Sequence, residues 1–351
     1  MKLAMIGFTE HGSRLCAQLQ QMLSDRGYII SGYGVKKYAC KYGLLPLESS
    51  LLEWTKGMFE QMDGLLFIGA AGIAVRSIAP FLTDKTKDPA VVVMDEKGIF
   101  SISLLSGHLG GANELTAVLA NLTGAIPVIT TATDVNGRFA VDLFAKKQNL
   151  HIGNIQAAKS VSADILDEEP VGLVSEFEII GGVPEELSLM DEKDLFEGKT
   201  GIVISLNEEK QPFTETLHLT PRIITVGVGC RRDTEVEMIE EAVVKTLQAN
   251  HLSIHGVEQI VSIDLKKEEQ GILKLCEKYR IPFRTYTTTE LLQVKGDFTA
   301  SDFVQSVTGV DNICERSALL GSKNGTLIQK KRAGNGVTVA IAVKDWSVDF
   351  G

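Results

Sequence analysis

The sequence has no C-x-x-C pair and no apolar run long enough to cross a bilayer. Each absence argues against a class of protein. The five cysteines, at 16, 40, 230, 276 and 314, are scattered and odd in number. That pattern predicts reduced, buried thiols rather than a disulfide framework. The six histidines are scattered too, so no protein-bound metal is expected. A membrane span needs about 20 apolar residues, and the run in MKLAMIGFTEHG is too short for a secretory signal. A cytoplasmic chain with no membrane partner is therefore expected. Positive charge is in deficit: 35 Lys and Arg stand against 45 Asp and Glu, for a formal net charge of −10. This argues against a general nucleic-acid partner, which would need a basic face. Aromatic residues are only 6% while hydrophobic residues reach 44%, as in an α/β protein with an aliphatic core.

What is present centres on Gly64–Asp134. Leu65–Ile68, Ala90–Met94 and Pro127–Thr130 are short apolar runs bounded by Gly or Pro, and Ile99–Leu105 alternates. Such runs predict strands covered on both faces. Ser106-Gly107-His108-Leu109-Gly110-Gly111 then leads into Ala112, Leu115, Val118, Leu119 and Leu122 at helical spacing, closed by Gly124. Strand, glycine-rich turn and helix in succession bring a helix N-terminus and close-approaching backbone to a ligand. Nearby stand Arg76, Lys85, Lys87 and Asp88.

Along the chain, Lys2–Gly7 and Tyr28–Tyr33 read as strands flanking an amphipathic helix that ends at Gly27. Tyr38–Ser49 reads as irregular, Leu51–Phe59 as a helix and Val135–Leu150 as one further helix. Alternation of strand and helix predicts a doubly wound, mostly parallel sheet. Its ligand edge is expected at the carboxyl ends of the strands, with the turns at Thr9, Gly69–Gly72, Ser106–Gly111 and Thr130–Asp134 together. Residues 151–220 form an acidic middle domain or linker with weak strands at Val171–Ser175 and Gly201–Leu206. From Arg222 a second α/β domain begins. Asp233 or Thr234 is placed to cap a helix through Leu247, and Lys330–Gly336 reads as a basic turn between two strands. The expected domains are thus 1–150, 151–220 and 221–351.

Gly227-Val228-Gly229-Cys230-Arg231-Arg232 opens like a dinucleotide fingerprint, but Arg232 stands at the third glycine position and the next strand carries no acid at the expected place, where Ile260 and Val261 are followed by Ser262. A close-approach turn carrying two guanidiniums suits carboxylates better. His108 between glycines at a helix mouth suits a general base, a neutral imidazole with the ordinary pKa of about 6.5. Ser106 lacks the nucleophile elbow. Asp95-Glu96-Lys97-Gly98 reads first as a β-turn.

The stretch GIAVRSIAPFLTDKTKDPAVVVMDEKGIFSISLLSGHLGGANELT, Gly72–Thr116, resembles the signature of cobalt-precorrin-5A hydrolases of anaerobic cobalamin biosynthesis. TVGVGCRRDTEVEMIEEAV, from Thr225, resembles the opening of that family's C-terminal domain. The resemblance implies a hydrolase whose substrate is a contracted, cobalt-containing tetrapyrrole with a δ-lactone on its ring A acetate. Lactone opening would release acetaldehyde. It implies no cofactor, since cobalt arrives inside the substrate. His108 is then the expected base, with Glu96 and Glu114 as acids and Gly110, Gly111 and Asn113 at the oxyanion and substrate. Arg76, Lys85, Arg138, Arg231 and Arg232 are the expected grips for peripheral carboxylates. A homodimer and transient contact with other pathway enzymes are both left open. One alternative is a tetrapyrrole carrier with no chemistry of its own, since the C-terminal part also resembles a small stand-alone protein of the aerobic pathway; a second is a nucleotide- or sugar-phosphate-binding α/β enzyme.

Overall fold

The computed structural model describes residues 1–84, 87–108, 110–323 and 325–351. The chain divides into two compact units, Met1–Leu143 and Phe144–Gly351. In the first, β1 (Lys2–Gly7) is buried from Leu3 onward. Thr9 caps α1 (Glu10–Ser24), its hydroxyl accepting the Gly12 N–H at 3.0 Å. Then come β2 (Ile29–Gly34), α2 (Lys36–Tyr42), β3 (Leu45–Pro46) and α3 (Leu51–Gln61), which opens on a capping box between Ser50 and Glu53. β4 (Gly64–Ile68), α4 (Ala71–Ile78), β5 (Ala90–Met94), β6 (Phe100–Leu105), α5 (Ala112–Thr123) and β7 (Ile126–Val128) complete the sheet, in the order β3-β2-β1-β4-β5-β6-β7.

Side chains alternate across this sheet and divide its core between two faces. Leu3, Met5, Leu66, Ile68, Val92 and Met94 pack with Leu19 and Leu23 of α1 and Leu115 and Leu119 of α5. Ala4, Ile6, Leu65, Phe67, Val91 and Val93 pack with Trp54 of α3 and with Ala74 and Ile78 of α4. Helices on both faces and parallel pairing from β1 to β5 agree with the doubly wound expectation.

β6 departs from it. It runs antiparallel to β5, with Met94 opposite Ser101 and Val91 opposite Leu105, while β7 runs parallel to β6. The reversal is made by the Asp95 turn. Its carboxylate accepts the Lys97 N–H at 2.9 Å and the Phe100 N–H at 2.6 Å. A hairpin needs only such a turn, whereas a parallel return would need a crossover of a dozen or more residues. The expectation of one shared ligand edge is therefore corrected. The turns at Thr9 and Gly69–Gly72 lie at one edge with Glu96; Ser106–Gly111 and Thr130–Asp134 lie at the opposite edge.

Local boundaries change as well. Residues 36–42 are helical rather than irregular. The single helix expected over Val135–Leu150 is two, α6 (Ala132–Val135) and α7 (Val141–Lys147), broken where Gly137 takes φ +61°. No helix among the described residues is long and apolar enough to cross a membrane. Cys16, Cys276 and Cys314 are buried, and burial pushes each thiol up to about 12. Cys40 is exposed and Cys230 intermediate, which corrects the expectation of five buried thiols.

In the second unit, β8 (Leu150–Ile152), α8 (Ile155–Leu166), β9 (Val171–Ser175), β10 (Ile179–Ile180), β11 (Leu187–Leu189), β12 (Thr200–Ile204) and β13 (Glu215–Pro221) come first. Five of these strands form a sheet ordered β11-β9-β12-β13-β8, a fuller architecture than a linker with weak strands. The next elements are β14 (Ile224–Cys230), α9 (Val236–Gln248), β15 (Val257–Ile263), α10 (Gln270–Tyr279) and β16 (Phe283–Tyr286). After them come α11 (Thr288–Gln293), α12 (Asp302–Thr308), α13 (Cys314–Gly321), β17 (Thr326–Gly334), β18 (Val337–Val343) and β19 (Val348–Asp349). The second sheet is ordered β16-β15-β14-β18-β17. Glu235, not Asp233 or Thr234, is the N-cap of α9, and the Thr234 hydroxyl is spent on the Arg231 carbonyl. The basic run Lys330–Arg332 lies within β17. The turn is Asn335-Gly336, both with positive φ, which is the pairing a tight hairpin favours. Gly227 has a packing role: a side chain there would collide with the Cys314 carbonyl of α13.

Candidate active site

His108 follows β6 in the turn that starts α5. Its Nε2 lies 2.5 Å from Asp134 Oδ2 of α6 and 3.2 Å from the Thr133 hydroxyl. Its Nδ1 lies 3.3 Å from Asp142 Oδ1 of α7. The imidazole is largely enclosed, with 13% of the side chain exposed, while Asp134 and Asp142 keep 32% and 28%. Asn113, buried in the first turn of α5, locks the arrangement. Its amide N–H groups go to Asp134 Oδ2 at 2.9 Å and the Thr131 hydroxyl at 3.0 Å, and its carbonyl accepts the Ser103 hydroxyl at 2.6 Å. Carboxylates on both ring nitrogens favour the charged imidazole. The hydrogen bond with Asp142 is the largest upward influence on the His108 pKa, burial opposes it and Asp134 adds to it, leaving the value at about 9. For Asp142, burial works upward but the His108 partnership outweighs it, so its pKa is lowered. The expectation of a neutral imidazole titrating near 6.5 is thus corrected: at neutral pH His108 is an imidazolium between two acids.

The turn itself is self-satisfied. The N–H groups of Gly111, Ala112 and Asn113 donate to the carbonyls of His108, Ser106 and Gly107 at 3.0, 3.1 and 3.0 Å. Gly111 and the first residues of α5 thus spend these N–H groups inside the turn, where the sequence suggested the Gly110-Gly111 turn and the helix start as oxyanion donors. Gly110 is needed because a side chain there would strike Ser106; Gly111 takes φ +89°. The buried Ser106 hydroxyl has no hydrogen-bond partner among the described residues, so no base activates it as a nucleophile.

The other expected residues disperse. Glu96 accepts the Thr9 hydroxyl at 2.5 Å at the opposite edge of the sheet. The six residues of β6 separate that edge from His108 by roughly 20 Å at strand rise. Glu114 is exposed in the first turn of α5, where its charge acts on Tyr28. Arg76 is on α4, folded back over Gly72, on the Glu96 side. Lys85 lies outside the described residues. Arg138 joins the His108 region by its backbone, donating to the Thr133 carbonyl at 2.9 Å. Arg231 and Arg232 are exposed beyond β14 in the second unit. Missed in the sequence were Asp134 and Asp142; the only signal for Asp134 was its place in the turn after β7.

A set of possible metal ligands, also invisible to spacing, lies in the second unit. His151, Glu208 and His255 bring ligand atoms within 4.8 Å of one another. The two imidazoles stack with centroids 3.9 Å apart and 13° between planes.

Comparison with known proteins accounts for the chain in three consecutive parts. Residues 53–134 match the family described as Cobalamin synthesis G N-terminal, 139–221 the Cobalamin biosynthesis central region, and 224–342 the Cobalamin synthesis G C-terminus. The chain is 37% identical over 314 residues to "Cobalt-precorrin-5A hydrolase" of Salmonella typhimurium, covering 86% of this chain and 88% of that protein. It is 33% identical over 354 residues to the protein of that name from Priestia megaterium, covering 97% and 94%. Over 121 residues it is 25% identical to "Protein CobE" of a Sinorhizobium species, covering 34% of this chain and 79% of that protein. On the strength of the two long matches, the chain belongs to the cobalt-precorrin-5A hydrolase family.

Proposed function

We propose that this chain adds water to the ring A δ-lactone of cobalt-precorrin-5A and releases acetaldehyde to give cobalt-precorrin-5B. Family membership supports the substrate. The observation that carries the chemistry is His108 held between Asp134 and Asp142. Addition of water to an ester carbonyl requires a proton to leave the water, charge to be stabilised on the oxyanion, and a proton to reach the departing ring oxygen. The partly exposed carboxylates of Asp134 and Asp142 are the acceptors for the first proton. The His108 imidazolium, its N–H groups held by the two carboxylates, stabilises the oxyanion through its charge, and the acid that took the first proton returns it to the departing ring oxygen. The freed hydroxyl on the bridging carbon then gives up its proton as the carbon–carbon bond breaks. Its oxygen becomes the acetaldehyde carbonyl and the bond's electron pair passes into the macrocycle. Cobalt enters as part of the substrate, and no resident cofactor has a step in this scheme.

The test is incubation of the purified protein with cobalt-precorrin-5A in plain buffer, with trapping of aldehyde and mass measurement of the corrinoid. About one equivalent of acetaldehyde per substrate is expected, unaffected by chelators and without nicotinamide. Tight binding of the intact lactone with no aldehyde would favour the carrier instead.

A further inference from the structure

One concavity of the second unit, of about 360 Å³, opens where β14, β15 and β16 begin. Arg222, Arg280, Arg284, Lys323 and Lys344 line it, with Glu258 as the one carboxylate among the lining residues. Glu258 is taken by Lys344 at 2.8 Å. Among the described residues no carboxylate pairs with Arg222, Arg280, Arg284 or Lys323. Four cations are thus gathered without neutralisation in a chain whose net charge is −10. Mutual repulsion disfavours such a cluster, and a bound anion relieves it.

The backbone points the same way. Asn149, Arg280 and Lys323 all line this concavity and all hold the left-handed conformation, at φ 55°, 53° and 52°. Arg280 is the C-cap of α10, a position where glycine is usual and free of that strain. A guanidinium is kept there at a conformational cost, as happens at binding sites.

We propose that this concavity binds a carboxylate-rich organic anion, namely the acetate and propionate arms along one rim of the tetrapyrrole. Planar guanidiniums grip carboxylates bidentately, and three of them spread over one concavity match several carboxylates better than a single phosphate. The identity of the anion rests on the function proposed above; the cation cluster does not.

The experiment measures binding of a fluorescent porphyrin octacarboxylate to the full chain, with inorganic phosphate and ATP as competitors and acetaldehyde release followed in parallel. Arg280→Gly, Arg222→Gln and Arg284→Gln should each weaken porphyrin binding about tenfold, as loss of a charged hydrogen bond does. Arg280→Gly relieves the left-handed strain, so its melting temperature should hold or rise and misfolding cannot explain its loss of binding. Wild-type affinity in all three variants overturns the site even if acetaldehyde release proceeds. Loss of porphyrin binding in the variants of a protein that releases no acetaldehyde sustains the site and overturns the hydrolase function. Phosphate or ATP binding without porphyrin binding overturns the carboxylate assignment.

Discussion

His108 Nε2 and Asp134 Oδ2 lie 2.5 Å apart across 26 residues of sequence, and the Asn113 amide holds the same carboxylate oxygen at 2.9 Å. The histidine is therefore fixed by a carboxylate that is itself fixed. Several measurable consequences follow from this chain of contacts.

Turnover should be level across neutral pH and decline as pH passes about 9, where the imidazolium loses its proton. A steady-state pH profile checks this. A rising limb near the ordinary histidine value of about 6.5 would restore the neutral-base role and remove the imidazolium from the mechanism.

Stability should carry the same signature. The folded pKa of His108 is raised, so the stabilisation from its acid partners is complete below about 6.5. It fades as pH rises through about 9. Denaturant unfolding from pH 6 to 10 should show this slope in the native chain and a flatter one in His108→Ala; identical slopes would show that the contacts contribute nothing.

Asp142→Asn should lower the His108 pKa toward the ordinary value, because it removes the largest upward influence. NMR titration of the ring reads this directly. Turnover should fall ~10²–10⁴-fold, the usual contribution of a proton-transfer group. An unmoved titration with normal turnover would sink the three-residue arrangement.

Asn113→Ala should destabilise the protein by about 1–3 kcal/mol, since buried polar partners lose their bonds. The partners are Ser103, Thr131 and Asp134. It should also slow turnover by loosening Asp134. Asn113→Asp keeps the Ser103 contact but loses the donors, so it should not rescue turnover; full rescue would place Asn113 outside the proton path.

Glu96→Gln should leave turnover near the native value and stability within about 0.5 kcal/mol, as for an exposed site. A large loss of turnover would show that the edge carrying Thr9 and Glu96 takes part in the chemistry.

The sequence by itself determined the strands of the first sheet apart from β3, the helix after the glycine turn, and the family. These rest on local signals: apolar runs such as Ala90–Met94, helical spacing from Ala112, and a long continuous motif at Gly72–Thr116. It placed His108 in the glycine-rich turn ahead of α5. It did not reveal Asp134 and Asp142, because contacts across 26 and more residues leave no periodic trace. The direction of β6 was a tertiary decision as well. An apolar strand has the same pattern whichever way it runs; the Asp95 turn sent Glu96 to one edge and His108 to the other. The charge of His108 likewise came only with folding, which alone brings two carboxylates onto one largely enclosed ring.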